Sequence, residues 1–330
     1  MPDFTISKQG AGILFVGLVS VILLIVWQGV GSVVDIISQV GWGLLWLLPL
    51  FLCVLLLMTR AWQELFVDAN SPPFSKLLFF NWIGNSINWL LPVAQLGGDF
   101  VKAWWLARTQ VASGSWSAAS VIVDKTIQAL VQATVALIGV ALLASHSGNN
   151  EIVFAGLAFA ILLSGGIYIF YRLQRSSLFS KTSRLAGSWK KKAAHLSGGA
   201  EHLDVTIETI YQNRKAILSS YLWRLVSRLI LATEIWLALG MLGISVGAVE
   251  ALLLECLGQT VRAAAFMIPG AYGVQEGGYM TLGLAIGLPL EVSLSLSLIK
   301  RLRELMVGVP ALVVWQWMEA RSLAKVDLPS

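Results

Sequence analysis

The sequence predicts an all-α, polytopic integral membrane protein, with about six full spans plus two opposed re-entrant helical hairpins that form an inverted repeat. Three observations lead there. Apolar runs of about 18 or more residues recur along the chain, each long enough to cross a hydrocarbon core. Charged residues make up only 12% of the composition, about half the share of an ordinary soluble domain, and the mean hydropathy is +0.76. Two further apolar stretches, 77–111 and 250–290, are broken in the middle by Pro and Gly and do not read as continuous spans. All 330 residues then form a single membrane domain with one sizeable loop.

The full spans are drawn at 11–30, 41–59, 116–145, 152–171, 216–241 and 291–318. The first follows Lys8 like a secretory leader, but Trp27 and Gln28 stand where small residues would mark cleavage, so it reads as a retained span. Lys and Arg set the orientation. The segment 172–215 carries nine of them (Arg172, Arg175, Lys181, Arg184, Lys190, Lys191, Lys192, Arg214 and Lys215) against the acids Glu201, Asp204 and Glu208, and is expected in the cytoplasm. The connections 31–40, 146–151 and 242–249 contain no Lys or Arg and are expected outside. Both termini then lie in the cytoplasm of a cell whose inner membrane holds the chain. Within the basic loop, Leu203, Ile207, Ile210 and Ile217 share one helical face. This predicts an amphipathic helix, either on the membrane surface or packed on the protein's own base.

The stretch 77–111 opens with an apolar half-helix to Leu91, about 22 Å long at 1.5 Å per residue, against a hydrocarbon core of about 30 Å. Pro92, Gly97 and Gly98 interrupt it, and a second short helix runs from Asp99 to Arg108. The stretch 250–290 repeats the pattern around Pro269, Gly270 and Gly273. The orientation places the first hairpin on the cytoplasmic side and the second outside. Paired broken segments in corresponding positions of two halves point to a transporter's binding site, because irregular backbone at membrane depth persists only inside protein or against a wet cavity.

Polar residues gather at these breaks. Asn81, Asn85 and Asn88 share a face of the first half-helix, suited either to helix–helix hydrogen bonding or to lining a polar cavity. Asp99 falls in the first turn of the returning half-helix, where a carboxylate can cap free N–H groups. Lys102 lies three residues on, and the next span carries Asp124, Lys125 and Gln128. Asp124 and Lys102 are expected to form an inter-helix pair. Arg224 and Arg228 are placed to snorkel to the cytoplasmic interface, with Glu234 deeper. In the second hairpin Glu255, Gln259 and Arg262 form one polar stripe, and Glu276 mirrors Asp99, with Arg262 as its expected base. Intramembrane ionisable residues are costly and mark function. Here acids and bases nearly match, which suits an ion-pair network around a cavity, with Arg262, Lys102 and Lys125 the candidates to hold an anionic group.

These motifs resemble the flippase-like membrane domain of lysylphosphatidylglycerol synthases and its stand-alone relatives. The resemblance rests on Asn85, Asn88, Pro92, Gly97, Gly98, Asp99 and Lys102, on Asp124-Lys125, and on Pro269, Gly270, Gly273 and Glu276. Around the distal motif, "FMIPGAYGVQEGGYMTLG" is most similar to the branch associated with bacterial hopanoid biosynthesis. The resemblance implies movement of amphiphilic lipids between leaflets, with hopanoid or a related lipid as substrate. Many relatives have Asp-Arg where this chain has Asp124-Lys125, which weakens any bidentate grip on an anion. Only about a dozen residues follow the last span, so the soluble synthase domain of the fused relatives is not expected in this chain.

A lipid translocase or trafficking protein is therefore the first reading. Without a G-x-x-x-x-G-K-[ST] loop, movement is expected to be passive or ion-coupled, with Asp99, Asp124, Glu255 and Glu276 as candidate proton carriers. The second reading is an accessory or scaffold protein of a lipid-biosynthesis complex, docked through the basic loop. A headgroup-modifying enzyme is the third and weakest. His146, His195 and His202 lie in loops away from the hairpins, and Cys53 and Cys256 sit singly in apolar runs. No metal, cofactor or disulfide framework is expected, and no basic-aromatic pattern suggests nucleic acid.

Overall fold

The computed structural model describes residues 38, 40–67, 71–91, 96–147, 150–174, 194–265, 268, 271 and 273–326. The predicted span 11–30, the turn residues Pro92, Pro269 and Gly270, and residues 175–193 of the basic loop lie outside them. The described residues form helices and no strands. A 3₁₀ turn, Gly41–Trp46, leads into α1 (Leu47–Gln63). Then come α2 (Phe74–Leu90), α3 (Gly97–Arg108), α4 (Gly114–Ser147), α5 (Asn150–Gln174), α6 (Ala194–Gln212), α7 (Arg214–Met241), α8 (Ala248–Ala264), α9 (Val274–Ala285) and α10 (Leu290–Val326). The spans drawn at 116–145, 152–171, 216–241 and 291–318 each fall on one long helix, and 41–59 falls on the 3₁₀ turn together with α1. By length and composition alone, Gly41–Gln63 and Gly114–Ala144 are apolar enough to cross a bilayer. Both α7 and α10 carry several charges in mid-helix that the fold buries.

Helices α2 and α8 have 17 residues each, and α3 and α9 have 12. At 1.5 Å per residue these are about 26 Å and about 18 Å long, both short of a hydrocarbon core. In each pair the second helix folds back against the first. Glycine makes the contact possible. A Cβ on Gly98 would lie 1.8 Å from the carbonyl oxygen of Gly84, so these two backbones touch where no side chain fits. A Cβ on Gly258 would lie 2.6 Å from the Tyr279 ring.

The packing repeats under exchange of α1–α4 with α7–α10. Helix α4 packs on α8, with Gly139 against Cys256 and Leu257. The equivalent pair, α10 on α2, seats Gly308 against Leu90. The equivalent helices α1 and α7 pack on each other with their ends reversed. Gly43, in the 3₁₀ turn that leads into the first, meets Met241 at the end of the second, and Phe51 and Val54 share a cluster with Leu231. Two units of the same helix order thus run in opposite senses, which is an inverted repeat.

Between the units, α6 takes the second of the two placements open to it. Ile207 and Ile210 are fully buried in the cluster formed with α4, so this helix packs on the protein rather than spreading on a membrane surface. Asn213 caps the following helix α7, accepting from the Ala216 N–H at 3.1 Å.

Candidate functional site

The first unit holds one continuous polar network. It starts at Thr59 on α1, whose hydroxyl accepts from Asn81 at 2.9 Å. Asn81 accepts from Asn85 at 3.1 Å, and Asn85 accepts from Lys102 at 3.2 Å. The i, i+4 spacing of the first two on α2 is what aligns them. Asn88 grips the start of α3 at two points. Its carbonyl oxygen accepts from the Gly98 N–H at 2.8 Å, and its amide donates to Asp99 at 2.9 Å. Asp99 lies between two cations, Lys125 of α4 at 2.7 Å and Lys102 at 3.3 Å. Lys102 is 2% exposed and also lies 5.7 Å from the centre of the Trp62 ring. Through Gln128, which accepts from Lys125 at 3.2 Å and donates to Asp124 at 2.9 Å, the chain reaches Asp124 and its ion-pair partner Arg224 on α7.

The second unit is denser. Glu255 on α8 pairs with Lys300 of α10 at 2.7 Å and with Arg228 of α7 at 3.7 Å. Lys300 also faces the Tyr279 ring at 5.6 Å. Arg262 engages Glu304 with both guanidinium nitrogens, a planar fork matched to a carboxylate. Arg303 pairs with Glu234 and packs on the Phe51 ring at 4.1 Å. Glu276 caps α9, accepting from the Gly273 N–H at 2.7 Å, and meets Arg301 at 3.4 Å. Gly273, with φ +76°, supplies the left-handed turn ahead of that helix. Thr260 accepts from Gln132 of α4 at 3.1 Å, which links the two units.

The two networks correspond. Each returning half-helix begins with a carboxylate at its third residue, Asp99 or Glu276. Each carboxylate meets a cation of the following long helix, Lys125 at the twelfth residue of α4 and Arg301 at the twelfth of α10. Gly84 packs against Lys102 where Gly258 packs against Tyr279. In the first network the acids Asp99 and Asp124 face the bases Lys102, Lys125 and Arg224. In the second, Glu234, Glu255, Glu276 and Glu304 face Arg228, Lys300, Arg301, Arg303 and Arg262. Each therefore carries one cation more than it has acids.

The charged residues singled out at the two broken stretches and on the helices facing them enter these networks, but several partners differ from expectation. Asp124 pairs with Arg224 rather than Lys102, and Arg224 is buried rather than snorkelling. Arg262 is held by Glu304, which leaves Glu276 to Arg301. Asp99 does not cap its helix. That role belongs to Asn88, which frees the carboxylate for the two lysines. All three cations proposed to hold an anion are paired with internal carboxylates, but the Lys125 side chain keeps 27% exposure while Lys102 and Arg262 are buried. The group missed is Lys300, Arg301, Arg303 and Glu304. Its signal was visible as four charges within five residues inside the apolar run 291–318, but no repeat of spacing on that helix shows which half-helix they serve. Among the described residues no group of His, Cys, Asp and Glu is arranged to hold a metal ion.

No curated protein and no solved structure matches the chain. A family model does, that of the lysylphosphatidylglycerol synthase TM region, over residues 12–311. With that match across almost all of its length, an all-helical fold and its spans, the chain belongs to the membrane-embedded lysylphosphatidylglycerol synthase TM region family.

Proposed function

We propose that the protein is a lipid translocase of the bacterial inner membrane, acting without covalent chemistry on its substrate. One observation carries the reading. The two units place equivalent carboxylate–cation pairs, Asp99–Lys125 and Glu276–Arg301, at the starts of two half-helices too short to span. In this reading α2–α3 and α8–α9 are re-entrant hairpins that dip from opposite faces, so a polar path crosses the membrane between them while α1, α4, α7 and α10 hold the frame. A headgroup follows the path and its tails stay in lipid. Nearly balanced charge keeps the empty path affordable. One extra cation in each half favours a substrate with an anionic group, and the partly open Lys125 and Arg228 are its first contacts. Hopanoid-related lipids remain the expected skeleton on sequence resemblance.

The test is transbilayer movement of a headgroup-accessible fluorescent lipid in liposomes of the purified full chain, read by bleaching of the outer leaflet. Protein-dependent bleaching beyond the outer half supports translocation, provided that Lys125→Met slows it. Bleaching that stops at the outer half, for anionic and neutral probes and with or without an ion gradient, overturns it.

A further inference from the structure

A cavity of about 740 Å³ lies between α4, α5, α6 and α7, away from both polar networks. Helix α4 separates it from them. Asp124, Gln128 and Gln132 recur every four residues on the network face, while Ile127, Leu130 and Ala133 line the cavity from the opposite face. Its size falls within the roughly 300–1,000 Å³ of pockets that hold one small ligand.

The walls offer hydrocarbon contacts. Four tyrosines line the cavity, and two of their hydroxyls are engaged internally. Tyr211 donates to Gln174 at 2.6 Å, and Tyr221 donates to Thr134 at 2.9 Å. Thr126 is likewise tied to Gln174 at 2.9 Å. The rings of Tyr211 and Tyr221 remain for the occupant, together with the side chains of Leu130 and Leu218. The cavity is open at its edge, where the lining residues Leu130, Tyr168 and Leu218 are themselves exposed. One end is basic. Arg214 lines the cavity and has no acidic partner among the described residues, and Lys215, the next residue, is exposed as well.

We infer that this cavity is a lateral binding site for an anionic diacyl phospholipid. One acyl chain lies between α4 and α7 among the tyrosine rings, and the phosphate rests on Arg214 at the cytoplasmic end. The open edge lets the chain enter sideways from the bilayer, and the basic end selects an anionic headgroup. The site is separate from the proposed translocation path and does not require transport to occur.

The experiment uses the full chain in vesicles containing phosphatidylglycerol or phosphatidylcholine with a diazirine near the middle of one chain, followed by mass-spectrometric mapping of the adducts. Phosphatidylglycerol adducts are expected to concentrate on α4, α5 and α7 around Leu130, Tyr168 and Leu218. Filling the cavity with Ala133→Phe or, independently, with Leu218→Trp at its exposed edge should abolish them while adducts on the outward face of α1 at Leu52 persist. Arg214→Gln should lower phosphatidylglycerol labelling by roughly tenfold, the loss of one hydrogen bond to a charged group, and leave phosphatidylcholine labelling as it was. Equal labelling by the two lipids, adducts no denser here than at Leu52, or labelling that survives both filling variants would overturn the assignment. Because the readout is binding, a protein that moves no lipid can still label here, and one that moves lipid can fail to.

Discussion

Replacing Asp99 by Asn tests whether its charge or merely its shape matters. Asn keeps the hydrogen bond from Asn88 within reach and leaves α3 capped as before, since Asn88 makes the cap. What changes is the field on two lysines. Lys125, partly exposed and held also by Gln128, can turn toward water. Lys102 cannot, being 2% exposed with only Asn85 and the Trp62 face as other partners. Its attraction to Asp99 across 3.3 Å is about 5 kcal/mol at an effective dielectric constant of about 20. Stranding one partner of such a buried pair costs about 3–5 kcal/mol. Asp99→Asn should therefore melt well below the parent in detergent. Asp99→Asn with Lys102→Met should recover most of that loss, because a buried pair replaced on both sides is often neutral. Lipid movement in liposomes should stay low in both, since neither restores a carboxylate for Lys125. An Asp99→Asn protein that melts and transports like the parent would refute the reasoning and reduce Asp99 to a bystander at a helix start.

Other outcomes follow from the same geometry. Glu276→Gln, the repeat equivalent, should cost less stability than Asp99→Asn in the same melting assay, because Gln can still accept from Gly273 and Arg301 also contacts Glu304. Gly98→Ala should lower the melting temperature or abolish insertion, since its Cβ meets the Gly84 backbone rather than a movable side chain; overpacking of this kind costs about 1–3 kcal/mol or more. Ile210→Ala should destabilise the purified protein by about 2–5 kcal/mol if α6 is part of the core, whereas a helix lying on lipid would barely register the change. A cysteine at exposed Lys215, in a background lacking Cys53 and Cys256, should resist membrane-impermeant thiol reagents in intact cells and react once the membrane is opened.

The sequence by itself determined the class and the frame. Low charge and long apolar runs require a lipid-like surround, and helices follow because every backbone group must then be satisfied within its own segment. The broken stretches 77–111 and 250–290 were legible for the same reason, since Pro and Gly interrupt a helix wherever they fall. Their matched order also announced the repeat. Local pairings were legible too: Asp99 and Lys102 are three residues apart on one helix, so their meeting needs no tertiary information. Only the tertiary structure decided the rest. Which of several cations faces Asp124 or Glu276 depends on how helices distant in sequence are rotated and shifted against one another. That registry is set where glycines let backbones meet, at Gly84 with Gly98 and at Gly258 under Tyr279. It is also why four charges in the last helix, plain to see as residues 300–304, acquire a role only when α10 is laid across α8 and α9.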